Sequence, residues 1–116
     1  MTTSGLKIAQ GRSGAVCVVT LTGRIDNSNA KDVIAELDAL IGSGEKNILL
    51  DLAGVLYLTS AAFRALLVAT DQAERNEARL ALCSVTGHVR DLFEMGGLLD
   101  SFTILGSRDE ALARLS

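Results

Sequence analysis

Thr59 and Ser60 stand where an apolar run, Ile48-Leu49-Leu50-Asp51-Leu52-Ala53-Gly54-Val55-Leu56-Tyr57-Leu58, gives way to the spacing of an amphipathic helix. Two hydroxyls at such a junction can do either of two things. One can cap the helix by accepting from the unpaired N–H groups of its first turn, worth about 1 kcal/mol. One can also carry a phosphate, which the positive end of the helix dipole tolerates, whereas a docked protein would meet two new negative charges. Other chemistry is thinly provided. His88 is the only histidine, so no second imidazole can share a metal, and neither Cys17 nor Cys83 has a Cys or His at ligand spacing. Ser60, His88 and Asp51 or Asp26 make a catalytic set only on paper, because Ser60 is not in a Gly-x-Ser-x-Gly elbow. Gly42, Gly44, Gly96 and Gly97 come after helical segments, as terminators do, and make no phosphate cradle. Asp51 reads as a carboxylate bonding backbone amides at a strand end, and His88 as a surface residue near a helix start. The expectation is a protein that is not an enzyme and holds no metal or cofactor.

The elements that must position Thr59 and Ser60 are given by periodicity. Residues 5 to 10 form a short strand, Gly11-Arg12-Ser13-Gly14 a turn, and Ala15 to Thr22 a β-branched strand, so the chain opens on a hairpin. Gly23 to Asn29 supplies turn and cap residues. Ala30, Val33, Ile34, Leu37, Leu40 and Ile41 then draw one stripe on a helix that Gly42-Ser43-Gly44 stops. Lys46 to Leu52 is a strand whose unbroken Ile48-Leu49-Leu50 implies burial on both faces, followed by a short loop. The helix from Ser60 puts Phe63, Leu66, Leu67 and Thr70 on one side and Arg64, Asp71, Glu74 and Arg75 outward. Leu80 to Cys83 is a buried strand, Val89, Leu92 and Phe93 mark a short helix, Phe102 to Leu105 a last strand, and Asp109 to Leu115 a closing helix. That order predicts an α/β fold with a mainly parallel sheet and one antiparallel strand from the hairpin.

Composition sets the bounds. The chain has 116 residues, 48% of them hydrophobic, 22% charged and only 3% aromatic, as expected of one globular domain with an aliphatic core. Eleven basic against fourteen acidic residues leave a net charge of −3 with no basic run, which speaks against nucleic acid and for a protein partner. No segment has the length of a membrane span or the pattern of a secretory signal, so no membrane insertion and a cytoplasmic location are expected. Cys17 and Cys83, far apart in apolar runs, read as small buried hydrophobes.

Asp51-Leu52-Ala53-Gly54-Val55-Leu56-Tyr57-Leu58-Thr59-Ser60-Ala61-Ala62-Phe63-Arg64-Ala65-Leu66-Leu67 resembles the signature of the STAS domain, the sulfate transporter and anti-sigma factor antagonist family. That signature runs roughly Asp-Leu-Ser-x-Val-x-x-Ile-Asp-Ser-Ser-Gly-Leu-x-x-Leu. Leu21 to Asp26 is similar to the family's Leu-x-Gly-Glu-Leu-Asp, and Arg79 to Cys83, Val89 to Glu94 and Gly97 to Leu99 match its later strand, helix and exit. The resemblance implies one STAS domain over residues 1–116, with a mixed central sheet of four to five strands and about four helices. It also implies a stand-alone anti-sigma factor antagonist working by partner switching in bacterial signal transduction and transcription regulation. The dephosphorylated protein binds an anti-sigma factor that is a serine kinase of the GHKL ATPase type, phosphorylation ends that binding, and a phosphatase resets it. An alternative is an unmodified cytoplasmic STAS subunit of a transporter ATPase of the lipid-transport type.

Aligned without gaps, the family's Asp-Ser-Ser-Gly-Leu falls on Thr59-Ser60-Ala61-Ala62-Phe63, so the usual acceptor position is Ala61, which has no hydroxyl. Ser60, or else Thr59, is then the phosphorylation site, unless no phosphate enters the switch. The partner surface implied by the resemblance comprises Asp26, Thr59, Ser60, Ala61, Ala62 and Arg64.

Overall fold

A computed structural model describes residues 5–115. Strands β1 (Leu6–Ser13) and β2 (Val16–Ile25) form an antiparallel hairpin, closed by Gly14-Ala15 with Gly14 at φ +58°. Next come helix α1 (Ala30–Gly42), strand β3 (Asn47–Leu58), helix α2 (Ser60–Arg75), strand β4 (Arg79–Cys83), helix α3 (Gly87–Met95), a 3₁₀ turn (Leu99–Ser101), strand β5 (Thr103–Leu105) and helix α4 (Arg108–Leu115). The strands lie side by side in chain order, β1-β2-β3-β4-β5, and β2 to β5 are parallel. Right-handed crossovers that always step the same way place their helices on the same face of a sheet. Accordingly α1, α2 and α3 cover one face, while α4, which crosses to no further strand, covers the other.

Side chains alternate across a strand, so both layers draw on the same runs. Val19, Leu21, Ile48, Leu50, Leu52 and Leu82 pack under Val33, Leu37, Leu66 and Phe93 on the front face. Val16, Val18, Leu49, Ala81, Cys83 and Leu105 meet Ala111 and Leu115 of α4 on the back. This is the two-sided burial that Ile48-Leu49-Leu50 implied. With few aromatics available, three are spent on one joint. Phe93 lies edge-to-face with Phe63 at 4.9 Å and with Phe102 at 5.5 Å between ring centroids, tying α2, α3 and the entry to β5 together.

Four expectations from the sequence are corrected. Gly11-Arg12-Ser13 is not a turn but the end of β1, paired to Val18, Cys17 and Val16, and only Gly14-Ala15 turns. There is no loop over residues 53–58: β3 runs on to Leu58, leaving only Thr59 between strand and helix, and β2 likewise runs on to Ile25. The strand continues because β3 carries extra residues opposite Thr20/Thr22 and Gly23/Arg24, bulges that keep it paired to β2 while bending it. The buried stripe of α2 is Ala62, Ala65, Leu66, Ala69 and Ala73, whereas Phe63, Leu67 and Thr70 lie half-buried on its flank. Alanines on that stripe let α2 lie close to the sheet and to α1.

Asp51 has a mainly structural task. Its Oδ1 accepts from Ala53 N–H at 2.9 Å, and its Oδ2 pairs with Arg108 Nε at 2.9 Å, while Arg108 also donates to Thr20 Oγ1 at 3.0 Å. The first residue of α4 is thereby pinned to the back of the sheet. Arg108 is 45% exposed, so water screens the pair. Asp51→Ala should lower stability by about 1–2 kcal/mol in urea denaturation and speed amide exchange first in α4.

Cys17 and Cys83 are free, buried and on opposite faces of the sheet. Desolvation pushes both thiols up, and the negative charges of Glu45 near Cys17 and Asp51 near Cys83 push the same way. A thiol-specific disulfide reagent should therefore label neither in the native protein and both in denaturant.

Candidate functional site

Thr59 is the N-cap of α2, extended at φ −92°, ψ 174°, its carbonyl accepting from Phe63 N–H at 3.1 Å, and three further bonds fix it. Its N–H donates to Ile25 O at 3.1 Å, its Oγ1 accepts from Ala62 N–H at a long 3.4 Å, and its hydroxyl donates to Asn27 Oδ1 at 3.2 Å. The end of β2, the loop after it and the start of α2 are thus one bonded unit.

The loop itself is rigid for reasons of local chemistry. Asp26 Oδ1 accepts from the N–H of Ser28 at 2.9 Å and from its hydroxyl at 2.6 Å, an Asx turn. Asn29 is fully buried, its Oδ1 accepting from Asp26 N–H at 2.9 Å and its Nδ2 donating to Arg24 O at 3.0 Å. The Ser28 hydroxyl, then the Ser28 and Asn29 backbone N–H groups, favour the Asp26 carboxylate and hold its pKa below the usual carboxylate value. A depressed folded pKa adds stability that is present above the unfolded value of about 3.9 and is lost as pH falls through the folded one. Asp26→Asn should accordingly weaken the fall in urea midpoint on acidification below about pH 4.

Ser60 opens α2 and is exposed, and its hydroxyl makes no hydrogen bond to a described residue. Ala61 is half-buried, and Arg64 is exposed one turn further on. Ala62, although part of the surface implied by the resemblance, is fully buried, so its methyl group packs inward. Asp26 is half-exposed in the loop bonded to Thr59. Structure therefore groups Asp26, Thr59, Ser60, Ala61 and Arg64 around one corner of the molecule.

Beside that corner runs a groove of about 630 Å³ between α2 and α3 that the sequence did not disclose. Ser60, Phe63, Arg64, Leu67 and Leu92 line it together with Met95, which is 83% exposed. Tyr57 lines it as well and stacks on His88 at 6.0 Å with an 18° tilt, leaving His88 on the surface as expected. Asn27 and Asn29 were legible only as turn formers, because no local signal pairs Asn27 with a hydroxyl 32 positions away. A second cleft of about 460 Å³ lies near the start of β4 and the end of α4. Arg79 there is occupied structurally, donating to Asn47 Oδ1 at 2.9 Å and to Leu115 O at 2.8 Å. Among the described residues no group of His, Cys, Asp or Glu is placed to hold a metal, and no helix is long and apolar enough to cross a membrane.

A hydroxyl-bearing corner on a five-stranded sheet ordered in this way is the arrangement of the STAS domain, and residues 7–111 match that family: the chain belongs to it. BtrV of Bordetella bronchiseptica, assigned as an anti-sigma factor antagonist, is 32% identical over 108 residues, covering 93% of each chain. Among solved structures, an anti-sigma factor antagonist from Mycobacterium paratuberculosis superposes with a TM-score of 0.83 at 19% identity, over 98% of this chain and 97% of that one. The phosphorylated form of the Bacillus cell fate determinant SpoIIAA superposes at 0.71 and 18% identity, over 95% and 100%. The STAS-like fold, with its N-terminal hairpin and alternating helices and strands, is that expected from the sequence.

Proposed function

We propose that this protein, read as one STAS domain over residues 1–116, is an anti-sigma factor antagonist in the bacterial cytoplasm. It binds an anti-sigma factor that is a GHKL-type serine kinase, phosphorylation of Ser60 ends the complex, and a phosphatase restores it. Kinship with BtrV supports the antagonist role. The observation that carries the choice of acceptor is the difference between neighbours. Thr59 spends its hydroxyl on Asn27 and on the helix cap, Ala61 has none, and the Ser60 hydroxyl is exposed. No catalytic role is assigned to any residue, and Asp26, Ala61 and Arg64 are read as contact residues around Ser60.

A phosphate in a desolvated interface opposes binding by several kcal/mol, and one carboxylate in its place should still weaken affinity by about tenfold or more. The test is affinity for the anti-sigma kinase isolated from the source bacterium, comparing wild type, Ser60→Ala and Ser60→Asp. Tight binding by the first two and loss in the third is expected. Equal affinity of all three overturns the switch.

Ala61 at the family's usual acceptor position favours a second reading, an unmodified subunit docking a transporter ATPase through the same corner. Co-purification of such an ATPase, with Ser60 and Thr59 free of phosphate by mass spectrometry, would select it.

A further inference from the structure

Arg64 has no ion pair with any described residue, whereas Arg12, Arg75, Arg90 and Arg108 each reach a carboxylate. It stands four residues after Ser60 on α2, both residues are exposed, and both line the α2/α3 groove. Residues at that spacing are neighbours on a helix surface, about 5–6 Å apart at Cβ, and an anion placed N-terminal to a cation is the favoured order. Resting on the reading of Ser60 as a phosphate acceptor, we infer that Arg64 is an internal clamp for the phosphorylated state. Its guanidinium turns back one helical turn onto the phosphate carried by Ser60.

The modification balances simply. Ser60 Oγ bonds to the γ-phosphorus of a nucleoside triphosphate, the bond from that phosphorus to the bridging oxygen breaks, the diphosphate leaves, and the hydroxyl proton is released. The clamp then closes on the phosphoserine. Arg64 offers a planar fork of donors that matches two phosphate oxygens, and such charge-assisted bonds are roughly twice as strong as neutral ones. Nothing negative competes from the same turn, because the first turn of α2 holds no acidic residue. Phosphorylation would then change the partner surface twice. It adds a dianion at Ser60 and withdraws the cation that an acidic group on the partner would meet. A phosphate bonded in this way also keeps the N-terminal turn of α2 formed, so the modified protein stays folded while it is unable to dock.

The test needs no kinase. Phosphoserine installed at position 60 during translation is titrated by phosphorus NMR in the otherwise native chain, in Arg64→Gln and in Arg64→Lys. The helix N-terminus, Asp26 held by Ser28 and His88 stacked on Tyr57 are the same in all three, so a difference between them belongs to Arg64. The second ionisation of the phosphate should lie about half a pH unit lower with Arg64 than with glutamine, with lysine between. The Arg64 Nε–H resonance should also move on phosphorylation. Coincident curves in the arginine and glutamine proteins, with an unmoved Nε–H, would overturn the clamp. That result leaves the switch itself standing, since the switch fails on a different measurement, unchanged kinase affinity after phosphorylation.

Discussion

Gly23→Val should destabilise the protein by about 3–5 kcal/mol, because two penalties fall on one atom. Gly23 has φ +109°, a region that β-branched residues avoid, and a Cβ built there lies 2.0 Å from the carbonyl oxygen of Gly5. Backbone and not a flexible side chain stands in the way. The same oxygen accepts from Arg24 N–H at 3.1 Å, and Gly23 is paired to Leu6 on one side and Val55 on the other. Relief therefore requires the start of β1 to leave the sheet. Urea denaturation measures the loss, with Gly11→Ala as the comparison, since a Cβ at Gly11 meets nothing within 4 Å. That control should fall within about 0.5 kcal/mol of wild type. Because β2 leads directly into the Asp26–Asn29 loop, the variant should also disturb the amide resonances around Thr59.

Phe93→Ala should remove about 3–5 kcal/mol by emptying the joint between α2, α3 and the β5 entry. Phe93 is 0% exposed and touches the rings of both Phe63 and Phe102. Edge-to-face pairs add to simple burial, so part of the loss is geometric. Phe93→Leu, which keeps most of the volume, should lose less than the alanine variant. The link to function is Phe63, which comes directly after Ser60-Ala61-Ala62 and lines the groove. With its support gone, partner affinity should fall in Phe93→Ala even under conditions where the protein remains folded, whereas Asp51→Ala, on the opposite face of the sheet, should leave affinity unchanged.

Much of the architecture was legible because the signals were strong and local. The stripe from Val33 to Ile41, the stops at Gly42 and Gly96 and the unbroken Ile48-Leu49-Leu50 each specify one conformation. The segment 53–58 misled because Ala53-Gly54 looks like a turn, while the bulges that carry β3 onward depend on its partner strand. Phe63 and Leu67 misled for a related reason. Periodicity shows a helix's apolar side but not which edge of it meets the sheet, and here alanines take the sheet and the large side chains wall a groove. At the site, Thr59 and Ser60 were identifiable as a cap and a neighbour, but only three-dimensional placement separates the bonded hydroxyl from the exposed one. Asn27 and Arg108 act across long sequence separations, and nothing local marks them.

The strand order β1-β2-β3-β4-β5 bears on how the protein is made. Every strand after the first finds its neighbour in the one synthesised just before it, so the sheet can grow by simple addition as the polypeptide leaves the ribosome, with each pairing closing only a modest stretch of chain. Helix α4, which emerges after all five strands, must then reach back 57 positions for Asp51, sealing the rear of the sheet once the strands are in place. Chains truncated before Arg108 should consequently accumulate as sheet-containing species with an uncovered, aggregation-prone surface.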